Sequence, residues 1–171
     1  PLFSTGPGSR WKGDGSESAA DQARQVGDNH DGMHFFPIDG HSSTEGLLVM
    51  NHEYTTVVKR RYITLFGLPA DEADTAERVN KAIQAWGCSV IHIRKGTDGQ
   101  WAVVVDSKYN RRFTGASPME LTGPAAGDAL LQTRADTSGR HVLGTLNNCG
   151  NGFTPWGTYL TCEENFNNNF G

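Results

Sequence analysis

The sequence predicts a mainly β fold, and two observations carry that prediction. Glycine accounts for 21 of the 171 residues, which is about 12% against a usual value of about 7% and is typical of a chain with many turns. The apolar runs are short, and the longest, such as residues 46–50, have the length of a strand. We therefore expect many short strands joined by turns.

The N-terminal part of the chain divides into an arm and a hairpin. Residues 1–26 are polar, rich in glycine and serine and without hydrophobic period, so we expect a loose polar arm. Residues 33–38 and 46–53 predict two strands joined by a glycine-containing loop. The second strand is apolar on both faces around Leu48 and Val49, which is typical of a buried strand.

One helix is predicted near residues 71–87. Asp74 and Glu77 have the spacing of a capping box at its start, and Gly87 is suited to end it. Apolar residues at spacings of three and four predict its buried face: Ala76, Val79, Ile83 and Trp86.

A hairpin is predicted directly after this helix, with strands over residues 88–94 and 101–105 around a turn. Further strands are predicted over residues 140–146 and 159–163. A helix that leads into a hairpin favours an insertion into a β fold over a βαβ unit.

Charge and length exclude several classes of protein. With 15 Lys and Arg against 19 Asp and Glu the net charge is −4, and no basic run exceeds the three residues 59–61, so we expect no nucleic-acid partner. No apolar run approaches the ~20 residues that span a bilayer, so we expect no membrane partner. The chain starts at Pro1 without Met and ends just past its most unusual segment, so we expect a piece of a longer protein.

The chain has three cysteines, Cys88, Cys149 and Cys162. This number is small and odd, so a disulfide framework is not expected. The cysteines leave three alternatives open: buried free thiols, one bridge between Cys149 and Cys162, or a thiolate bound to a metal ion.

Residues 147–165 carry the strongest chemical signal. Cys149 lies in an Asn- and Gly-rich stretch that we predict to be a turn, and one strand later come Glu163 and Glu164. Neighbouring side chains on a strand point to opposite faces, so only one of the two carboxylates easily faces a shared site. Thiolate, carboxylate and amide oxygen together favour a transition ion on sulfur and Ca²⁺ on oxygen. The alternative is a solvated strand end.

A second polar group ends the buried strand, at residues 51–54. Polar groups at the inner end of a buried strand must be paired or must bind something. For His52 a metal ligand and a hydrogen-bonded structural histidine both remain open. Asn29 and Asp31 are interpreted as turn residues.

Arg111 and Arg112 are weak candidates for substrate binding. The forked guanidinium group matches phosphate oxygens, and surface salt bridges are the alternative.

Six motifs in order resemble the PhoX-type bacterial alkaline phosphatases. They occupy residues 46–54, 107–115, 123–127, 147–150, 154–158 and 161–165. Each motif alone is weak, but their order across residues 27–171 makes the resemblance specific.

The resemblance implies the first blades of a β-propeller over residues 27–171, continuing beyond the chain to about six blades. It implies two iron ions and several Ca²⁺ ions on the propeller axis, hydrolysis of phosphate monoesters, and export through the twin-arginine route to the periplasm or the medium. The remaining blades of the same chain are then its partner, and this piece alone is expected to be inactive.

The resemblance also assigns roles to residues. Cys149 takes the place of the iron-bound cysteine, and Glu164 that of the metal-binding glutamate, so these two are the predicted catalytic residues. Glu163, Asn148 and Asn51 are predicted as further metal ligands or as hydrogen-bonding supports.

Two other functions remain open. One is a calcium-dependent propeller esterase, lactonase or phosphodiesterase, and the other is a non-catalytic propeller that serves as a binding module.

Overall fold

The computed structural model describes residues 11–12, 14–40, 42–55, 75–165 and 167. Its largest element is an antiparallel sheet in which β1, β2, β3 and β4 follow one another, and β5 pairs with β3 along a different stretch from β4. The strands of this sheet are β1 (His30–Pro37), β2 (Glu45–His52), β3 (Gly87–Lys95), β4 (Trp101–Val103) and β5 (Arg111–Phe113).

Two hairpin pairs and two helices complete the described part of the chain. The pairs are β6 (Pro118–Glu120) with β7 (His141–Leu143), and β8 (Asn148–Phe153) with β9 (Tyr159–Glu163). The helices are α1 (Ala19–Gln22) and α2 (Ala76–Ala85), with a 3₁₀ turn at Ala129–Leu131. Neither described helix is long and apolar enough to cross a bilayer.

The predicted fold class is confirmed as mainly β. The described strands form one open sheet and two separate pairs, with no closed sheet among them, so the propeller stays a prediction. The first hairpin is present as β1 and β2, and β9 has the predicted bounds. Cys149 was predicted in a turn; it lies instead within strand β8.

Helix α2 lies within the predicted insertion but differs in its start and its buried face. Its N-cap is Thr75, whose hydroxyl accepts from the Arg78 N–H, while the predicted start at Asp74 lies outside the described residues. Val79 was predicted to be buried but is 46% exposed, whereas Lys81 is buried. Lys81 can be buried in this helix because it has an acidic partner.

That partner comes from the segment predicted as a loose arm. Within residues 14–26 the chain forms α1, which Ser18 caps and which packs against α2. Glu17 is buried and its carboxylate lies 3.7 Å from Lys81 Nζ, which also donates to the Gly15 carbonyl at 2.9 Å. This part of the arm is therefore packed against the fold.

The side chains on one face of the main sheet line an apolar cleft of about 560 Å³. Leu47 and Val49 of β2 contribute to it, and Tyr159 and Thr161 of β9 line the opposite side. Alternation along β2 puts Asn51 on the same face as Val49. The cleft thus runs toward the end of β2, where the polar residues gather.

Candidate metal centre

Two β-bulges meet at the end of the main sheet. In β1 the pairing jumps from His30 to Met33, so Asp31 and Gly32 together oppose one residue of β2. In β8 it jumps from Asn148 to Asn151, so Cys149 and Gly150 oppose one residue of β9. A bulge turns side chains away from the regular alternation, and here each bulge carries one potential ligand followed by glycine.

The two bulges bring together a thiol and two carboxylates. The Sγ of Cys149 donates to Asp31 Oδ2 at 2.9 Å, although the two residues are 118 positions apart. Ligand atoms of Asp31, Glu53 and Cys149 all lie within 4.8 Å of one another. Glu53 is held there because its N–H donates to the Asn29 carbonyl at 3.0 Å, just before β1.

The neighbouring residues Glu163 and Glu164 have different surroundings, as expected for adjacent side chains at the end of a strand. The carboxylate of Glu164 lies close enough to raise the pKa of the Cys149 thiol, so it borders the cluster of Asp31, Glu53 and Cys149. The carboxylate of Glu163 accepts instead from the backbone N–H of Leu146 at 3.0 Å. Of the two predicted ligands, the structure brings Glu164 to Cys149 and places Glu163 in a backbone contact.

The acidic groups of this cluster lie close together, and the pKa values of two of them, Cys149 and Glu53, are raised. Hydrogen bonds to Asp31 and then Glu164 raise the pKa of the Cys149 thiol to about 12, because both carboxylates disfavour the thiolate. Burial, followed by the charges of Asp31 and Glu164, raises the pKa of Glu53. Every charged neighbour that acts on these two groups is itself a carboxylate.

Such a cluster fits a bound cation. Acidic groups that crowd together must take up protons or a positive ion, and a thiolate beside carboxylates offers soft and hard donors at once. Asn148 adds a second observation, because its buried Oδ1 has no hydrogen-bond partner in the described part of the chain. Its Nδ2 donates to Thr145 and Thr161 at 2.7 and 3.0 Å.

All three cysteines are free, so the alternative of a bridge between Cys149 and Cys162 is wrong. Cys162 is exposed, and Cys88 is buried beside Asn51. Burial raises the pKa of Cys88 to about 11. Among the three thiols, Cys149 is the one placed against carboxylates.

Arg112, a weak candidate for substrate binding, is placed in a structural role. Its guanidinium group donates to the backbone carbonyls of Gln84, Trp86, Cys88 and Phe113 at 2.6–3.2 Å. Burial lowers the pKa of Arg112 to about 10. These bonds satisfy carbonyls at the C-terminal end of α2. Arg111, by contrast, lines the apolar cleft.

His52 also takes a structural position. Its fully buried ring bonds the Ser89 hydroxyl through Nε2 at 2.6 Å and lies 4.9 Å from the His30 ring. Burial lowers the pKa of His52 to about 2, so the ring is neutral near pH 7. Of the two readings left open by the sequence, this geometry favours the hydrogen-bonded histidine.

Two members of the cluster, Asp31 and Glu53, were missing from the predicted ligands. Asp31 was interpreted as a turn residue, since nothing local distinguishes a bulge from a turn in residues 27–32. Glu53 carried a usable signal, because it closes a buried strand next to Asn51 and His52, where polar groups need a partner.

The geometry defines a mainly β protein with a candidate metal centre, in which a thiol and carboxylates cluster at two neighbouring bulges. The sequence profile of the family described as "Alkaline phosphatase PhoX" matches residues 2–171. The chain belongs to the PhoX alkaline phosphatase family. A comparison with curated proteins gives no match.

Among solved structures, the chain is similar to the one described as "Pseudomonas fluorescens PhoX in complex with vanadate, a transition state analogue". The sequence identity is 46% and the TM-score is 0.85. The alignment covers 97% of this chain and 27% of that one, so the chain spans about a quarter of the length of its structural neighbour.

Proposed function

We propose that this chain supplies part of the metal centre of a phosphatase that hydrolyses phosphate monoesters. Membership of the PhoX family supports the reaction class. The similar Pseudomonas fluorescens protein binds vanadate, described as a transition-state analogue, which supports a phosphate-like substrate. The observation that carries the proposal is the cluster of Cys149, Asp31 and Glu53, which Glu164 borders.

In this proposal Cys149 and the three carboxylates would help to hold two iron ions and several Ca²⁺ ions, together with groups from other parts of a propeller. When bound, such ions supply Lewis-acid polarisation of the phosphate group and charge neutralisation of its oxygens. The Cys149 thiol loses its proton as an ion binds, and the carboxylates then balance the positive charge. Arg111 remains a candidate for substrate contact from the apolar cleft.

The test compares two cysteine variants of the full-length protein. We expect Cys149→Ala to lose bound iron and the hydrolysis of p-nitrophenyl phosphate together. Cys162→Ala is the matched control, because Cys162 is an exposed free thiol and its loss should change neither. Survival of both iron and activity in Cys149→Ala would refute the proposal.

A substrate panel separates the alternatives. A phosphatase should cleave p-nitrophenyl phosphate faster than bis(p-nitrophenyl) phosphate or p-nitrophenyl acetate. Preference for the diester or the acyl ester would favour a calcium-dependent phosphodiesterase or esterase. Full-length protein that is folded, binds no iron and cleaves none of these would favour a binding module.

We also propose that residues 1–171 need the remaining blades for activity. Large apolar side chains such as Leu130 and Trp156 are 94% and 79% exposed, as expected of surfaces that other parts of a protein cover. Residues 1–171 expressed alone should therefore show no phosphatase activity under conditions in which the full-length protein is active.

For location, we propose the periplasm or the medium after twin-arginine export. Cell fractionation of a bacterium that expresses the full-length protein tests this. Activity should leave the cytoplasmic fraction in normal cells and remain there in cells that lack the twin-arginine translocase.

A further inference from the structure

We propose that Asn51 is a positioning residue for Cys149, acting through the backbone of the β8 bulge, and that it does not itself bind an ion. This inference rests on the proposed function, since it assigns Asn51 a role in building that metal centre. It chooses between the two roles predicted for Asn51, a metal ligand and a hydrogen-bonding support, in favour of the second.

The amide nitrogen of Asn51 holds the bulge directly. Asn51 is fully buried, and its Nδ2 donates to the Cys149 carbonyl at 2.7 Å and to the Gly150 carbonyl at 3.2 Å. An extra residue in a bulge disturbs the regular ladder with the neighbouring strand. The side chain from β2 thus supplies donors to the two residues that form the irregularity.

The amide oxygen of Asn51 is equally occupied. Its Oδ1 is within hydrogen-bond distance of Tyr159 Oη and Thr161 Oγ1, both at 3.0 Å, and of Cys88 Sγ at 3.2 Å. A carbonyl oxygen has two lone pairs, and the Thr161 hydroxyl and the Cys88 thiol can each donate to one of them. The single Tyr159 proton is shared with the Gly32 carbonyl, so Oδ1 is filled without a cation. These donors also fix the orientation, because a flipped amide would face its oxygen toward two carbonyls.

The same network reaches the β1 bulge. Tyr159 Oη lies 2.9 Å from the Gly32 carbonyl, next to Asp31. A Cβ built on Gly32 would come within 2.7 Å of the Cys149 carbonyl oxygen, so the two bulges touch at that point. Asn51 therefore supports the contact between the two bulges, and this contact sets the distance between Cys149 and Asp31.

Asn51→Asp isolates the donor function. Aspartate keeps the shape and the Oδ1 acceptor but turns a carboxylate oxygen toward the two carbonyls. Cys88→Ala is the matched control: it removes one donor to Oδ1 and leaves both Nδ2 bonds to the β8 bulge in place. Both variants are made in the full-length protein and freed of metal.

The first measurement is a Co²⁺ titration, read by the sulfur-to-cobalt charge-transfer absorbance. Partners that orient metal ligands typically contribute about 10- to 100-fold in metal affinity. We expect a loss of this size, with a weakened charge-transfer band, in Asn51→Asp, and wild-type values in Cys88→Ala. Wild-type affinity and band in Asn51→Asp overturn the proposal.

The second measurement does not depend on metal. Iodoacetamide labelling of Cys149 at one fixed pH, followed by peptide mass spectrometry, should be faster in metal-free Asn51→Asp than in wild type, because the sulfur is no longer held against Asp31. If wild type shows no sulfur–cobalt band, the metal role of Cys149 fails, and equal labelling rates would then overturn the positioning role separately.

Tyr159→Phe covers the case in which Asn51→Asp does not fold. It removes one hydroxyl that joins Asn51 Oδ1 to Gly32, and it leaves the ring in the cleft. We expect weaker Co²⁺ binding and faster labelling of Cys149 than in Cys88→Ala. Values equal to those of Cys88→Ala overturn the proposal.

Discussion

The Cys149 thiol and the Asp31 carboxylate lie 2.9 Å apart, each on a bulge followed by glycine. Asp31 looks like an ordinary turn residue in the sequence, whereas Cys149 lies in the segment with the strongest chemical signal. Their contact exists because β1 packs against β8, and it makes a site from two strands that are distant in the chain.

The first prediction follows from this contact. Asp31→Asn removes one anionic oxygen donor, so metal affinity should fall by more than the ~10- to 100-fold that a supporting residue contributes. Metal content after dialysis, measured by atomic emission, checks it. Asp98→Asn is the control, because Asp98 accepts from the Gln100 N–H in a distant turn and asparagine preserves that bond. Equal metal content in all three proteins would contradict the prediction.

The paired glutamates give a second prediction. Glu164→Gln should lose metal and phosphatase activity, since its carboxylate is close enough to raise the pKa of the Cys149 thiol. Glu163→Gln should keep both, because the amide oxygen of glutamine can still accept from the Leu146 N–H. Metal analysis of the two variants decides between them, and the reverse result would show that Glu163 is the ligand.

A third prediction concerns pH. In the folded metal-free protein the pKa of Cys149 is raised to about 12 and that of Cys88 to about 11, against an ordinary value of 9.0. Below that ordinary value both thiols are protonated in the folded and the unfolded chain, so this contribution to stability is fully present. Above it the unfolded chain loses protons first, and stability falls as the pH rises toward the folded-state pKa values.

Urea denaturation of the metal-free protein on both sides of pH 9 measures this effect. The loss at alkaline pH should be smaller in Cys149→Ala and in Cys88→Ala than in wild type. Metal should also bind more tightly as the pH rises, because binding displaces the Cys149 proton. A stability that does not change across this range would show that the thiols are not held in their protonated form.

Two glycines supply the fourth prediction. Gly32→Ala would press a Cβ to 2.7 Å from the Cys149 carbonyl oxygen, so β1 must move away from β8. We expect a loss of about 1–3 kcal/mol in the free energy of unfolding, as for other overpacked sites, together with weaker metal binding. Gly150→Ala is the matched control, because a Cβ there meets nothing within 4 Å. Similar denaturation midpoints for the two variants would argue against the close contact.

Local sequence pattern predicted those parts of the fold that local interactions determine. The hairpin of β1 and β2 and the strand β9 follow from apolar runs bounded by turn residues. The predicted buried face of α2 was wrong at Val79, and Lys81 is buried instead. Lys81 is buried because it pairs with Glu17, which is 64 positions away in the chain. The periodicity of the helix sequence carries no information about such a distant partner.

The candidate site divides in the same way. Family motifs pointed to Cys149 and Glu164, whose role as metal ligands stays a prediction, and Glu164 borders the cluster that contains Cys149. Asp31 and Glu53 escaped because a bulge is a relation between two strands, and its effect on side-chain direction appears only once the register is known. The role of Asn51 was open for the same reason, since its bonding partners come from β3, β8 and β9.

The extra residue in each bulge has a consequence for protein engineering. Successive side chains on a strand point to opposite faces of the sheet, and each bulge interrupts this alternation by one extra residue. Deleting Gly32 or Gly150 would leave one residue opposite one residue, with the flanking pairs unchanged, and would return Asp31 or Cys149 to the regular alternation. A chain shortened in this way would pair its strands regularly, and the change would fall on the direction of its sulfur or its acid alone.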